Sequence, residues 1–276
     1  MKISQVLEIL NANKVDSGVA AEVTHFLQTA SKSNRSLRDP AKNVLNNLMG
    51  GLLPADVSWD VPFPPPTDYK FKFIDLFAGV GGMRLAFEGL EGKCVFSSEW
   101  DKSAQITYAS NFGEIPHGDI KAIDEIDVPD HHVLVAGFPC QAFSIAGARG
   151  GFEDTRGTLF FDVARIIREK KPEAFFLENV KGLMNHDRKR TIETILKVLR
   201  EDLKYYVPDP EVMNAMYFGV PQHRERVFIV GFKSKAAFSR FRYPKNSETI
   251  PALSTILETK PVSVKYYMST QLSLIH

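Results

Sequence analysis

The sequence predicts an α/β domain, a mostly parallel sheet with helices on both faces, carried behind an N-terminal helical extension. Three observations predict it. Short apolar runs recur at residues 71–76 (FKFIDL), 94–98, 133–137 and 174–177, each the length of a buried strand. Stretches with helical apolar spacing separate most of them, as in βαβ units. The first run leads directly into a glycine-rich loop, FAGVGG, and then into a helical pattern. There, backbone amides at a helix start can receive a ligand.

Residues 1 to about 50 read as helices. Ile3, Val6, Leu7 and Leu10 fall at helical spacing, as do Val19, Val23, Phe26 and Leu27, and then Leu37, Val44, Leu45 and Leu48. Gly50 and Gly51 end the pattern, and the proline-rich PADVSWDVPFPPPTD reads as an extended linker. The expected organisation is therefore extension and linker over 1–69, main domain over 70–245, and a partial tail over 246–276. Residues 1–69 either pack on the main domain or form an appendage that contacts a partner or DNA.

Within the main domain, residues 71–76 form the first strand and MRLAFEGL the first helix. The second strand closes at Glu99, where an acid is placed to accept hydrogen bonds from ribose hydroxyls. The loop has no GxxxxGK, which removes support for ATP hydrolysis. Residues 101–111 read as a helix with Ile106 and Ala109 inward, and a short strand is expected before Asp119. Asp119 is either a polar contact to a cofactor or the N-cap of the helix that follows. Residues 158–171 form a helix ending at Lys170, Lys171 and Pro172. Residues 187–203 read as one long helix, its leading Arg188, Lys189 and Arg190 either facing phosphate or simply solvated. A strand is expected within 205–212, and residues 227–230 form the last core strand.

The chemistry concentrates at VLVAGFPCQAFS, residues 133–144. A buried strand leads through Gly137 and Pro139 to Cys140, at the strand end where open α/β sheets bind ligands. Gly147, Gly150, Gly151 and Gly157 make the following loop flexible in principle. The next strand ends in Glu178 and Asn179, and in a βαβ unit those two strand ends are neighbours. Arg224 and Arg226, spaced by two before the last strand, share a face. They either recognise phosphate or carboxylate or form a salt bridge to Glu178. Cys94, inside a strand, reads as buried and inert.

Composition sets limits. A chain of 276 residues that is 44% hydrophobic holds one catalytic-size core with a small appendage. Its formal net charge of +1 is unlike a dedicated DNA-binding module, so any nucleic-acid contact rests on local clusters. The two cysteines exclude a disulfide framework and point to a reducing, cytoplasmic setting. The amphipathic N-terminus does not read as a secretory leader, and no apolar run approaches a membrane span.

GFPCQAFS, ENV, the DLFAGxGG loop and FGVPQHRERVFIVG occur in the order of the DNA (cytosine-5)-methyltransferases, and the chain resembles that family from about Phe71 to Phe232. The loop GFPCQAFSIAGARGGFEDTRG is similar to that of bacterial restriction-modification enzymes. The resemblance implies a Rossmann-like, S-adenosylmethionine-dependent methyltransferase fold without a metal. It implies methyl transfer to C5 of a flipped cytosine in double-stranded DNA, leaving S-adenosylhomocysteine. Cys140 matches the nucleophile, Glu178 the acid that holds N3 and the exocyclic amine, and Arg226 the arginine that orients the base. Arg224 and Gln222 match supporting positions of that motif, and Asn179 shapes the pocket behind Glu178. Phe77, Ala78, Gly79 and Gly81 match the cofactor loop and Glu99 the ribose ligand. Trp100 matches the residue against the adenine, Asp119 the partner of its amine, and Pro139 the wall towards the cytosine. Ser144, Arg149 and Arg156 are expected DNA backbone contacts in a closed loop.

The family's target-recognition region and final motifs are not found in the roughly 44 residues after Phe232. The expectation is a catalytic core without sequence readout: a portion or truncated product, one subunit of a split enzyme whose partner chain carries recognition, or a chain whose residues 1–69 fill part of the gap. Alternative functions are methylation of cytosine in transfer RNA, a DNA-binding or regulatory protein with a dead site, and hydride transfer.

Overall fold

The computed structural model describes residues 1–29, 37–139, 159–247 and 249–259. Its sheet is built from β1 (Phe71–Leu76), β2 (Gly92–Ser98), β3 (Val133–Ala136), β4 (Ala174–Val180), β5 (Glu211–Asn214) and β6 (Glu225–Phe232). These six strands lie in the order β2-β1-β3-β4-β6-β5. β1 pairs in parallel with β2 and β3, and β3 with β4; β6 runs antiparallel to both β4 and β5. The parallel half has the neighbours that right-handed βαβ connections produce. The antiparallel insertion of β6 brings the start of that strand to the end of β4, with Val180 opposite Arg226.

Side chains alternate across the sheet and divide the core in two. Ile74, Leu76, Leu134, Ala136, Phe175, Leu177, Val227 and Ile229 pack beneath α6 (Leu159–Lys170) and α7 (Arg190–Lys197). Phe73, Cys94 and Val135 face the other way, towards Met83 and Phe87 of α4 (Gly82–Glu88). Asp75 and Glu178 share that second face by the same period of two.

The extension is helical, with α1 (Ile3–Ala12), α2 (Ser17–Thr29) and α3 (Asp39–Met49). Ile3, Val6, Leu10, Val23, Leu27, Ala41, Leu45 and Met49 form its own apolar cluster, with Trp59 and Ile115 packed against it. It also joins the main domain around α5: the Ile115 amide donates to Thr24 Oγ1 at 3.0 Å, and the Phe63 amide to the Asn111 carbonyl at 3.0 Å.

Several elements differ from expectation for identifiable reasons. The strand before Asp119 is a single parallel bridge, Ser98 to His117; Pro116 has no N–H with which to extend a ladder. The strand expected within 205–212 is a bridge from Tyr206 to Phe232 followed by β5, because Pro208 and Pro210 interrupt the pairing until Glu211. The long helix starts only at Arg190, since Asp187, Arg188 and Lys189 all take positive φ. It closes in a π-turn over Val198–Asp202. In α5 (Lys102–Phe112) the buried side chains are Gln105, Tyr108 and Phe112, while Ile106 is 69% exposed. That face is drawn inward by a buried arginine, described below, rather than by apolar spacing. The last strand and β4 both run longer than their apolar cores, because ladder hydrogen bonds continue past them into Glu225, Arg226 and Asn179.

Gly231 illustrates how tightly the β4–β6 pair is packed: a Cβ there would overlap the Phe175 ring of the neighbouring strand. Gly231→Ala is expected to lower unfolding free energy by about 1–3 kcal/mol through overpacking, measured by urea denaturation. An unchanged midpoint would mean that Phe175 has room to move.

Candidate active site

Two clusters of polar groups meet at the carboxyl ends of the parallel strands. The first is built on the loop after β1. Phe77 (φ 57), Gly79 (φ 54) and Gly81 (φ 95) all take left-handed conformations. For Phe77 this costs of order 1 kcal/mol and marks a backbone held by its surroundings. The holding contacts are explicit: the Ala78 amide donates to the Ser98 carbonyl at 2.9 Å, and the Gly79 amide to Glu99 Oε2 at 2.8 Å. Glu99 Oε1 accepts the Asp101 amide at 2.8 Å, so one buried carboxylate ties the glycine loop to the start of α5. The Glu99 amide donates to the His117 carbonyl at 2.8 Å, and Gln105 donates from its side chain to the Glu99 carbonyl.

Each Glu99 oxygen accepts one amide and keeps acceptor capacity for a hydroxyl, and a Cβ at Gly79 would meet only open space. That donor and acceptor set fits an adenosyl cofactor. Trp100 next to it is 74% exposed and free to lie against a flat ring. Asp119 caps the short helix Ile120–Ala122, accepting from the Lys121 amide at 3.0 Å. The capping alternative is therefore realised, through one carboxylate oxygen, with the exposed side chain still beside His117. Ala78 is buried, and Pro139 is exposed at the end of the β3 loop.

The second cluster joins β4 to β6. Arg226 Nε lies 2.6 Å from Glu178 Oε1, with both side chains about four-fifths covered (22% and 19% exposed). Of the two roles open to the arginine pair, Arg226 takes the salt bridge. A Cβ added to Gly137 would stand 3.5 Å from Glu178 Oε2, so the β3 exit passes directly beside this carboxylate. Asn179 is buried; its Nδ2 donates to the Phe138 carbonyl at 2.7 Å, fixing the peptide that leads into Pro139. Glu178, Arg224 and Arg226 line a cavity of about 350 Å³ with Met213, Ala215, Phe218, Phe228 and Pro244. The Arg224 amide donates to Asn214 Oδ1 at 3.1 Å, which fixes the chain on entry to β6. Gln222 is exposed and does not line the cavity. Cys140, Ser144, Arg149 and Arg156 lie outside the described residues.

Beside the first cluster lies a buried charged group that apolar spacing does not reveal. Arg84 of α4 is fully buried. Its Nη1 donates to Glu114 Oε2 and to the Tyr108 hydroxyl, each at 3.0 Å, and its Nε to Glu88 at 2.9 Å. Ser97 Oγ donates to Glu114 Oε1 at 2.5 Å. Burial alone would raise the Glu114 carboxyl, but His25 and Arg84, with hydrogen bonds from His25 and Ser97, hold it well below the usual carboxylate range. Asp75, one strand away, has an oxygen with no hydrogen-bond partner, and burial pushes its carboxyl up to about 7 against the pull of Arg84. Cys94 is buried beside this cluster, and burial pushes its thiol up, consistent with an unreactive side chain.

Nothing in the spacing marks Gln105, Asn214 or His117 as site-building groups. The detectable signals were an Asp N-cap one turn before Gln105 and an Asx-turn residue, Asn214, directly before a short turn.

A strand-end carboxylate with spare acceptor capacity, beside a loop with open backbone, and a carboxylate–arginine pair lining a cavity both stand at the sheet end where open α/β domains bind ligands. The chain belongs to the C-5 cytosine-specific DNA methylase family, whose model matches residues 71–275. It is 61% identical over 205 residues to the Type II methyltransferase M.HpaII of Haemophilus parainfluenzae, covering 73% of this chain and 57% of that one. It is 54% identical over 214 residues to M1.ScrFI of Lactococcus lactis subsp. cremoris, covering 76% and 54%. The chain thus spans little more than half the length of these curated relatives. Among solved structures, the S. pombe Dnmt2 methyltransferase shares the fold, with a TM-score of 0.56 at 21% identity over 74% of this chain and 65% of that one.

The Asp75 carboxyl gives the site a pH signature. Its folded-state value near 7 exceeds the ordinary 3.8, so the folded protein retains a proton that the unfolded chain loses, and stability from this group falls as pH rises across that window. Asp75→Asn cannot ionise. Its melting temperature is expected to match the parent at about pH 4 and to exceed it increasingly up to about pH 8. A difference independent of pH would contradict this placement of Asp75.

Proposed function

We propose that the chain is the catalytic core of a DNA (cytosine-5)-methyltransferase that transfers a methyl group from S-adenosylmethionine to C5 of a cytosine flipped out of double-stranded DNA. The observation that carries the reading is the Glu178–Arg226 pair, 2.6 Å apart, at the wall of a cavity next to the strand exit that leads to Cys140. Family membership and the relatives named Type II methyltransferases support it.

On this reading Phe77, Ala78, Gly79 and Gly81 line the cofactor, Glu99 accepts from its ribose hydroxyls, Trp100 covers the adenine and Asp119 meets its amine. When bound, the cofactor supplies an electrophilic sulfonium methyl. The thiolate of Cys140 adds to C6 of the cytosine, and the ring electrons move towards C5 and N3. Glu178 holds N3 and the exocyclic amine and stabilises the charge that grows there; Arg226 fixes that carboxylate and the base, with Arg224 and Gln222 supporting the segment. Asn179 and Pro139 set the wall between base and cofactor. C5, now enamine-like, takes the methyl, leaving S-adenosylhomocysteine; water then takes the C5 proton as the thiolate is expelled from C6 and the ring double bond re-forms. Flipping the base costs a few kcal/mol of unstacking, offset by contacts to the extruded base and its backbone.

The proposed partners are double-stranded DNA and a second chain that supplies target recognition. No helix among the described residues is long and apolar enough to cross a membrane. The reading assigns the chain to the cytoplasm, where DNA of a restriction-modification system resides.

The test is transfer of labelled methyl groups to unmethylated duplex DNA. Cys140→Ser is expected to remove transfer while retaining S-adenosylhomocysteine binding, and Glu178→Gln to lower transfer by about 10²–10³-fold. Transfer that survives Cys140→Ser, or cofactor binding lost with it, would contradict the assignment.

A further inference from the structure

The family match begins at residue 71, so α1, α2 and α3 lie outside it. Yet α2 reaches the interior of the matched region. Thr24, His25 and Gln28 are all buried. His25 Nδ1 faces the Ala21 carbonyl at 3.0 Å. Its Nε2 lies 3.1 Å from Glu114 Oε1 and 3.3 Å from the Ser97 amide. Gln28, with its amide oriented to satisfy both neighbours, bridges Arg84 Nη2 at 2.6 Å and Glu114. The Glu114 carboxylate is therefore enclosed by Arg84 and Ser97 from the matched region and by His25 and Gln28 from the extension.

Two paths lead from this contact to the glycine loop, and a third leads there from the linker. Arg84 stands on α4, the helix that begins where the glycine loop ends. The His25 ring lies against His117 (centroids 4.8 Å apart), whose carbonyl holds the Glu99 amide. Phe63 from the linker packs on Phe112 (5.6 Å), and Phe112 lies over Arg84 and so close to Gly81 that a Cβ there would collide with it.

We propose that α2 is a positioning element of the cofactor pocket and that His25 is its principal positioning residue. The inference rests on the cofactor reading given above. By closing the Glu114 carboxylate, His25 holds Arg84 and α4 in place, and by packing on His117 it holds Glu99 at the height from which it ties Gly79 to Asp101. A carboxylate buried beside one arginine and left with an open side would draw in water or shift towards Arg84, and the glycine loop would move with α4.

The test uses the full chain and four proteins. His25→Phe keeps a ring against His117 and removes the contact to Glu114; His25→Gln keeps a donor for Glu114. Leu45→Ala weakens the apolar cluster of the extension without touching the network, and serves as the control for stability alone. S-adenosylhomocysteine affinity and amide hydrogen exchange over residues 77–82 are read at a temperature where circular dichroism shows each protein folded. His25→Phe is expected to weaken affinity and to speed exchange about tenfold, the scale of one hydrogen bond to a charged group. His25→Gln should recover most of both, and Leu45→Ala should leave both within about twofold despite a lower melting temperature. Equal effects of His25→Phe and Leu45→Ala, or no effect of His25→Phe on either readout, would overturn the proposal. If the parent chain binds no S-adenosylhomocysteine, the cofactor reading fails, and the exchange comparison still decides the role of His25. If His25→Phe does not fold, His25→Gln decides: exchange and affinity near those of the parent support the Glu114 contact, and values displaced about tenfold overturn it.

Discussion

The contact on which the β4–β6 end of the sheet depends is the ion pair from Arg226 to Glu178. A carboxylate at the end of a central strand is expensive to cover unless it is paired and hydrogen-bonded. Here the partner comes from a strand running the other way. Because β6 is antiparallel to β4, its first residues, not its last, stand at the ligand-binding end of the sheet, and Val180 is opposite Arg226. A parallel strand in the same position would deliver its carboxyl end there instead. The reversed strand also supplies Arg224 and Phe228 to the same cavity, and β5 beyond it contributes Met213 and the turn that begins at Asn214. One inversion of strand direction thus assembles most of the pocket.

The glycine-loop side is organised on a different principle. Glu99 does not wait in open solvent for a ligand; it already ties two backbone amides, one from the glycine loop and one from the start of α5. A carboxylate committed in this way is oriented before anything binds, which reduces the ordering cost of binding. The Glu99 amide is held by the His117 carbonyl, and the His117 ring lies against His25 of α2, outside the matched family region. The two halves of the site meet at Gly137 and Phe138. The strand that passes Glu178 there is held by Asn179, and leads on to Pro139.

Much of this was legible in the chain because apolar runs and strand-end polar residues are local signals. The parallel strands, the glycine loop, Glu99, Glu178 and the shared face of Arg224 and Arg226 all follow from spacing. What spacing misses is decided by partners far away in sequence. Arg84 sits in a helix where an arginine ordinarily reads as solvated; only Glu114, thirty residues on, makes its burial affordable. The same arginine turns Tyr108 and Phe112 inward and leaves Ile106 outside. Prolines at 116, 208 and 210 shorten strands that hydrophobicity alone would extend. Neither the direction of β6 nor the left-handed run at Asp187, Arg188 and Lys189 has a signature in composition.

In the proposed mechanism Cys140 attacks a cytosine held against Glu178 and Arg226. The most direct measurement is mass spectrometry of the chain incubated with S-adenosylmethionine and duplex DNA containing 5-fluorocytosine. Fluorine cannot leave C5 as a proton does, so an adduct that has accepted the methyl group should remain covalently bound. The expected product is a denaturation-resistant complex that requires the cofactor and whose DNA-bearing peptide is joined at Cys140. A complex joined at another residue, or a folded chain that transfers methyl groups to ordinary DNA yet traps none of the fluorinated duplex, would contradict it.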